Sequence, residues 1–357
     1  MKKIFALILM ACMVLSLAAC GSTPAPAATE APAEAESPAD APAEGGDAAA
    51  EAEYKLGMGI VLNTDSSKTG NAQVDATVAA VVVDADGKIV SCRIDCAQSK
   101  MAVADGAVDT AASFKTKMEL GDDYGMVAYG NAIAEWDAQT KAFEAYVVGK
   151  TAAEVEGIET VLNDGGHNVA ADETLLASCT MDIVDFKEAV AKACNDPMAS
   201  SFTAGEFTLG VAAITTADES TEATADKDGV VKMYTEFAAA AVADGKILAA
   251  VTDATQPQIT INTAGEIVDA QFKGTKMELG DDYGMVAYGN AIAEWNAQAK
   301  AFADYTVGKT AAEVRSIETV VNESGHNVTT DETLLASCTM DISGMIAVIA
   351  QAADYAR

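Results

Sequence analysis

The sequence predicts two tandem α+β domains, each an antiparallel sheet followed by helices, behind a disordered tether. Three observations lead there. The stretch KMELGDDYGMVAYGNAIAEW stands at 117–136 and again, unchanged, at 276–295, inside a repeated unit of about 150 residues. Within each unit, β-branched runs with Asp-Gly turns come first and helix-period patterns follow; that order favours an α+β domain over a parallel α/β one. Residues 21–53 hold five of the seven prolines, eight acids and no basic residue, and nothing apolar larger than Ala or Pro, so they cannot bury a core. Two copies are too few for a solenoid, and each is long enough to fold alone.

The chain has 22 basic against 54 acidic residues and a net charge of −32. From Tyr54 onward about −26 of this remains, once the two lysines and eight acids before it are set aside. Such a surface repels phosphate backbones, which excludes nucleic acid as a partner and favours cations and basic surfaces.

In chain order, Lys2 and Lys3 precede an apolar run over 4–15, the length of a signal-peptide core and short for a membrane span. It ends in Leu17-Ala18-Ala19-Cys20, which resembles the cleavage site of bacterial lipoproteins. The resemblance implies a signal peptide at 1–19 and diacylglyceryl attachment to Cys20. It also implies a protein anchored to the outer face of the cell membrane, in a Gram-positive bacterium. Residues 20–53 form the lipidated cysteine and an extended tether.

The first domain spans 54–195. Strands are expected at 56–62, 78–83 and 88–92, the last two joined by a hairpin at Asp84-Ala85-Asp86-Gly87, since glycine takes positive φ cheaply. Asp105-Gly106 suggests a second hairpin. Ile133, Trp136, Phe143 and Val147 have helical spacing, with Gly149 as the stop. Thr151-Ala-Ala-Glu154 has capping-box spacing. A turn follows at 164–167, and Ile183, Phe186 and Val190 mark a last helix. Residues 196–205 read as a linker and 206–357 as the second domain, with turns at Asp244-Gly245 and Ala264-Gly265.

Five cysteines remain beyond Cys20, an odd number that argues against a disulfide framework. Cys92 and Cys96, four apart on a strand, lie about 13 Å apart, too far to bridge. His167 and His326 are the only histidines, in equivalent Gly-His-Asn-Val turns. One per domain, with no cluster nearby, does not make a metal site, though either residue is a candidate ligand contact. Asp122 and Asp281, in Leu-Gly-Asp-Asp-Tyr-Gly-Met, are candidates for cation or ligand binding in a loop that caps the following helix. Trp136, Tyr124 and Tyr129, with their copies, suit either a core or a pocket wall. No catalytic signature is present.

The segment LLASCTMDI at 175–183, its copy at 334–342 and the helix after each resemble the end of the FMN-binding domain family. Members occur in electron-transfer lipoproteins of Gram-positive bacteria. In that family a Ser-Gly-Ala-Thr stretch opens the last helix, and FMN is esterified to its threonine. The resemblance implies FMN on Thr180 and Thr339, beside Ser178 and Ser337, with the phosphate at a helix N-terminus. Asp182 and Asp341 depart from the family pattern, because an acid there repels phosphate and caps the helix. Two functions follow as expectations. One is flavin-borne electron transfer with a redox partner at the cell surface. The alternative is a non-catalytic surface module for a small molecule, cation or partner protein.

Overall fold

A computed structural model describes residues 51–357. The signal sequence, Cys20 and the tether up to residue 50 lie outside the described residues. The first repeat begins with β1 (Ala52–Asn63), β2 (Asn71–Val83) and β3 (Ile89–Ala102). It continues through the short helices α1 (Lys117–Leu120) and α2 (Met126–Gly130), then α3 (Trp136–Val147) and α4 (Ala152–Glu156). The hairpin β4 (Thr160–Leu162) and β5 (Asn168–Ala170), α5 (Glu173–Leu176) and α6 (Val184–Cys194) complete it. Next come β6 (Ser200–Ala204), β7 (Thr208–Thr216), β8 (Gly229–Lys232), β9 (Tyr234–Ala243), β10 (Lys246–Thr255), β11 (Gln258–Ile261) and β12 (Ile267–Gln271). The helical half then recurs as α7 (Lys276–Leu279), α8 (Met285–Gly289), α9 (Trp295–Thr306) and α10 (Ala311–Arg315). It ends with β13 (Thr319–Val321), β14 (Asn327–Thr329), α11 (Glu332–Leu335) and α12 (Ser343–Asp354).

The α+β class stands, with sheet before helices in both halves. One antiparallel sheet runs β3-β2-β1-β6 and the other β10-β9-β7. Each is covered on its outer face by helices. Ala79, Val81, Ile94 and Cys96 meet Phe143, Phe186 and Val190. Ala238, Ala240 and Ala250 meet Phe302, Met345 and Ile349. The inner faces pack on each other. Leu56, Met58, Val78, Ala80 and Val82 share one core with Leu209, Val211, Phe237, Ala239 and Ala241. The result is four layers, helix–sheet–sheet–helix, with two repeats in one compact body. A third sheet, β12-β11-β8, packs Val231, Ile259 and Ile261 against Val74, Met101 and Val103.

Local chemistry explains the close packing. A Cβ on Gly57 would lie 2.1 Å from the Ala193 carbonyl oxygen, and one on Gly210 1.9 Å from that of Ala352. These glycines let α6 and α12 sit directly on β1 and β7. The capping box at Thr151 forms in both directions, and its copy at Thr310 does the same. The Asp84–Gly87 hairpin forms as expected, with the Asp84 carboxylate accepting from the amides of Asp86 and Lys88.

Four local expectations change. Much of the expected linker is β6, which pairs with β1 from Ala52↔Ala204 to Leu56↔Ser200. Asp105-Gly106 forms a single tight turn, because the AVDTAAS stretch after it is too poor in β-branched residues to pair as a strand. Ile133 lies before α3 and is exposed. The aspartates of Gly-Asp-Asp-Tyr-Gly do not cap α2. Glu135 does, taking the amides of Met126 (2.8 Å) and Val127 (3.0 Å).

Because the inner core is shared, the halves should unfold together. Leu56→Ala should cost about 2–5 kcal/mol. In urea, Trp136 and Trp295, each made the sole tryptophan by a Phe substitution at the other, should report the same lowered midpoint. A shift seen only through Trp136 would show that the repeats unfold independently.

Candidate functional site

The residues expected to carry a flavin sit in the turns before α6 and α12. The Thr180 amide and hydroxyl both donate to Oε1 of buried Gln139, at 2.9 and 3.2 Å. Thr339 does the same to Gln298, at 2.9 and 3.3 Å. Each glutamine is oriented by its own amide nitrogen, which donates to a carbonyl before α3 or α9. The Ser178 and Ser337 hydroxyls donate to the carbonyls of Leu175 and Leu334.

A carboxylate already occupies each helix start, taking the first helical amide and one from the neighbouring hairpin. Asp182 accepts from Asn168 N (2.7 Å) and Val184 N (3.0 Å). Asp341 accepts from Asn327 N (2.8 Å) and Ser343 N (2.9 Å). Burial works to raise the Asp341 pKa, but these hydrogen bonds outweigh it and hold the carboxyl below its ordinary value. An FMN phosphate would have to displace a carboxylate at each helix start. The residues present do not fit that group.

The other candidates are dispersed. His167 and His326 are exposed at the tips of the β4–β5 and β13–β14 hairpins, where their backbone amides donate to Asn163 and Asn322. The hairpins do reach the helix starts, since the Ile183 amide donates to Asn168 O at 3.1 Å. Asp122 and Asp281 are exposed in short 3-10 turns. Among the described residues no group of three or more His, Cys, Asp or Glu is placed to hold a metal ion. Cys92, Cys96, Cys179, Cys194 and Cys338 are free. Burial pushes their thiols up, Cys96 to about 11, so none is a ready nucleophile.

The structure instead draws aromatic rings around a lysine in each repeat. Lys117 Nζ lies 5.0 Å from the Tyr124 ring and 5.5 Å from Trp136. Lys276 Nζ lies 4.6 Å from Tyr234, 5.0 Å from Tyr283 and 5.2 Å from Trp295, and bonds the Tyr234 hydroxyl at 3.1 Å. Burial opposes the charge on Lys117, but Cys96, Tyr124 and Asp75 more than offset it and raise its pKa. One carboxylate near the lysine changes element between repeats. In the first, Asp185 on α6 joins Asp75 of β2; the position equivalent to Asp185 on α12 is Gly344. In the second it is Glu236 on β9; the equivalent position on β2 is Thr77. A Cβ on Gly344 would lie 1.5 Å from Glu236 Oε2, so the two carboxylates occupy overlapping space. Burial pushes Glu236 to about 7.

A cleft of about 630 Å³ lies between the repeats, where α6 faces α7. Its apolar surface includes Met58, Ile60 and Met277, and its polar groups include Lys192, Asp253 and Glu278. Lys192 bonds Glu278 at 3.0 Å and the Ile60 carbonyl at 3.1 Å. Asp253 is buried, and that burial, opposed by Thr275 and the amides of Met277 and Ala254, raises it to about 7.

Sequence reasoning missed Lys117, Lys276 and the cleft. Lys117, Tyr124 and Trp136 all lie in the unchanged twenty-residue stretch, and Lys117 opens it, so its invariance was a usable signal. The cleft has no comparable signal, because its walls come from distant parts of both repeats.

No family model matches the chain, and no solved structure matches it. A chlorophenol reductase of Desulfitobacterium hafniense is 32% identical over 168 residues, which cover 41% of this chain and 51% of the relative. The chain thus spans about half the length of the curated relative it matches.

The exchanged carboxylates give a sign test. In the native chain, Gly344→Ala should destabilise by about 1–3 kcal/mol, because it pushes the Glu236 carboxylate away from Lys276. With Glu236→Thr already in place, the same change should stabilise by about 0.5 kcal/mol through helix propensity. Thermal melts of the four proteins measure this, and an unchanged sign would refute the overlap.

Proposed function

We propose that this chain is a bacterial surface lipoprotein, held to the membrane by lipid on Cys20, which binds a small molecule non-catalytically in the cleft between its repeats. The cleft carries the reading. Its size of about 630 Å³ falls in the range of ligand pockets, and apolar walls with a few convergent polar groups are what such pockets present. The Leu17-Ala18-Ala19-Cys20 sequence supports the anchor. The strongly acidic surface suits mutual repulsion of crowded, tethered proteins.

A thermal-shift screen of small molecules, substituted phenols included because of the relative's name, tests this reading. Ligands should raise the melting temperature of the native protein and not of Ala191→Trp, which narrows the cleft. A screen with no cleft-dependent ligand would sink the reading.

A second reading, surface electron transfer by attached flavin, rests on the LLASCTMDI resemblance and on the relative's being named a reductase. The engaged hydroxyls of Thr180 and Thr339 weigh against it. Protein from the native host should show no flavin fluorescence in a denaturing gel. A fluorescent band lost in the Thr180→Ala, Thr339→Ala double variant would establish that reading instead.

A further inference from the structure

The repeats are related by a pseudo-two-fold that creates two equivalent grooves, and the protein fills only one of them with an aromatic side chain. On one side α1 faces α12; on the other, α7 faces α6. Glu119 and Glu278 are the same residue of the unchanged stretch, one in each groove. In both, Oε2 closes the local capping box, accepting from Thr116 N or Thr275 N at 2.9 Å. The other oxygen differs. Glu119 Oε1 accepts from two donors across the groove, Gln351 Nε2 at 2.7 Å and the Tyr355 hydroxyl at 3.0 Å. Glu278 Oε1 accepts from Lys192 alone, at 3.0 Å.

At the constant offset of 159 residues, Gln351 corresponds to Lys192 and Tyr355 to Asp196. Asp196 cannot take the tyrosine's place. It is shorter, and its two oxygens are spent on the amides of Met58 (3.0 Å) and Met198 (2.8 Å). The chain then departs into β6, whereas the residues after α12 stay beside the groove, with Arg357 N bonded to Leu209 O at 3.2 Å. The groove holding Tyr355 accordingly measures about 350 Å³ and its counterpart about 630 Å³.

We propose that the larger cleft binds a neutral hydroxylated aromatic small molecule, whose ring lies over Met58 and Met277 and whose hydroxyl donates to Glu278 Oε1. This rests on the binding reading above and names its ligand class. The protein's own Tyr355 shows the contact that such a ring makes with this wall. Charge selects the neutral form. Lys192 already balances Glu278, so a cation gains little, and a phenolate would face Glu278, Glu188 and Asp196.

The probe is p-cresol, the tyrosine side chain as a free molecule, with toluene as the control lacking the hydroxyl. Titration into the full chain is followed through the methyl resonances of Met58, Ile60 and Met277. Cresol should shift all three and bind about tenfold tighter than toluene, the factor that one hydrogen bond to a charged acceptor supplies. Glu278→Gln keeps a capping-box side chain but removes the charge, and should bring cresol close to toluene. Asp196→Tyr, which installs the residue of the filled groove, should weaken cresol more than tenfold.

Equal binding of cresol and toluene would overturn the proposal. So would silent methyls with both probes while a screened compound of another class shifts them; in that case the binding reading stands and the ligand class falls. If no compound shifts them, both fall.

Discussion

The apolar seam between the two sheets is the contact on which the rest of the molecule depends. Leu56, Val78 and Val82 on one side and Leu209, Phe237 and Ala241 on the other have no second place to be buried. Once they meet, the sheet edges are brought together, β3 beside β7 and β6 beside β10. That in turn carries α1 to α12 and α7 to α6, and both grooves follow. The alanine run Ala238–Ala241 serves the seam and the helix layer alternately, so four layers pack tightly with few large side chains.

Within this symmetry the repeats divide their residues into a constant wall and a variable one. The unchanged stretch supplies the constant wall: the caged lysine, a tyrosine and a tryptophan ring beside it, and the groove glutamate. The last helix of each repeat and the residues after it supply the variable wall. There Lys192 stands against Gln351, Asp196 against Tyr355 and Asp185 against Gly344. Duplication followed by change on one wall yields two grooves of one design and different capacity. Asp185 in one repeat gives way to Glu236 in the other, so a helix-borne carboxylate near the lysine is exchanged for a strand-borne one.

Features set by neighbours in sequence were legible. The Asp84–Gly87 hairpin and the Thr151 capping box lie where turn and capping chemistry place them. Features set by distant partners were not. Residues 200–204 look like linker until β1 is beside them. Gly57 looks like a weak strand position until α6 is laid over it. The same distinction governs the sites. Thr180 and Thr339 were found through resemblance to a local motif, and their engagement with Gln139 and Gln298 spans 41 positions of chain. The groove between Glu278 and Lys192 joins the two repeats across 86 positions.

The placement of Arg357 bears on the order in which the molecule is assembled. It follows α12, and it is bonded to the Leu209 carbonyl, to Arg93 and to Glu144. The inner face of the first sheet is thus synthesised well before the sheet that covers it. Until then its nearest equal match is the same face on a neighbouring nascent chain, which makes this interval the one most exposed to misassembly. Closure waits for the second sheet, and a chain halted before residue 357 lacks the latch that fastens the end of the second repeat to the first.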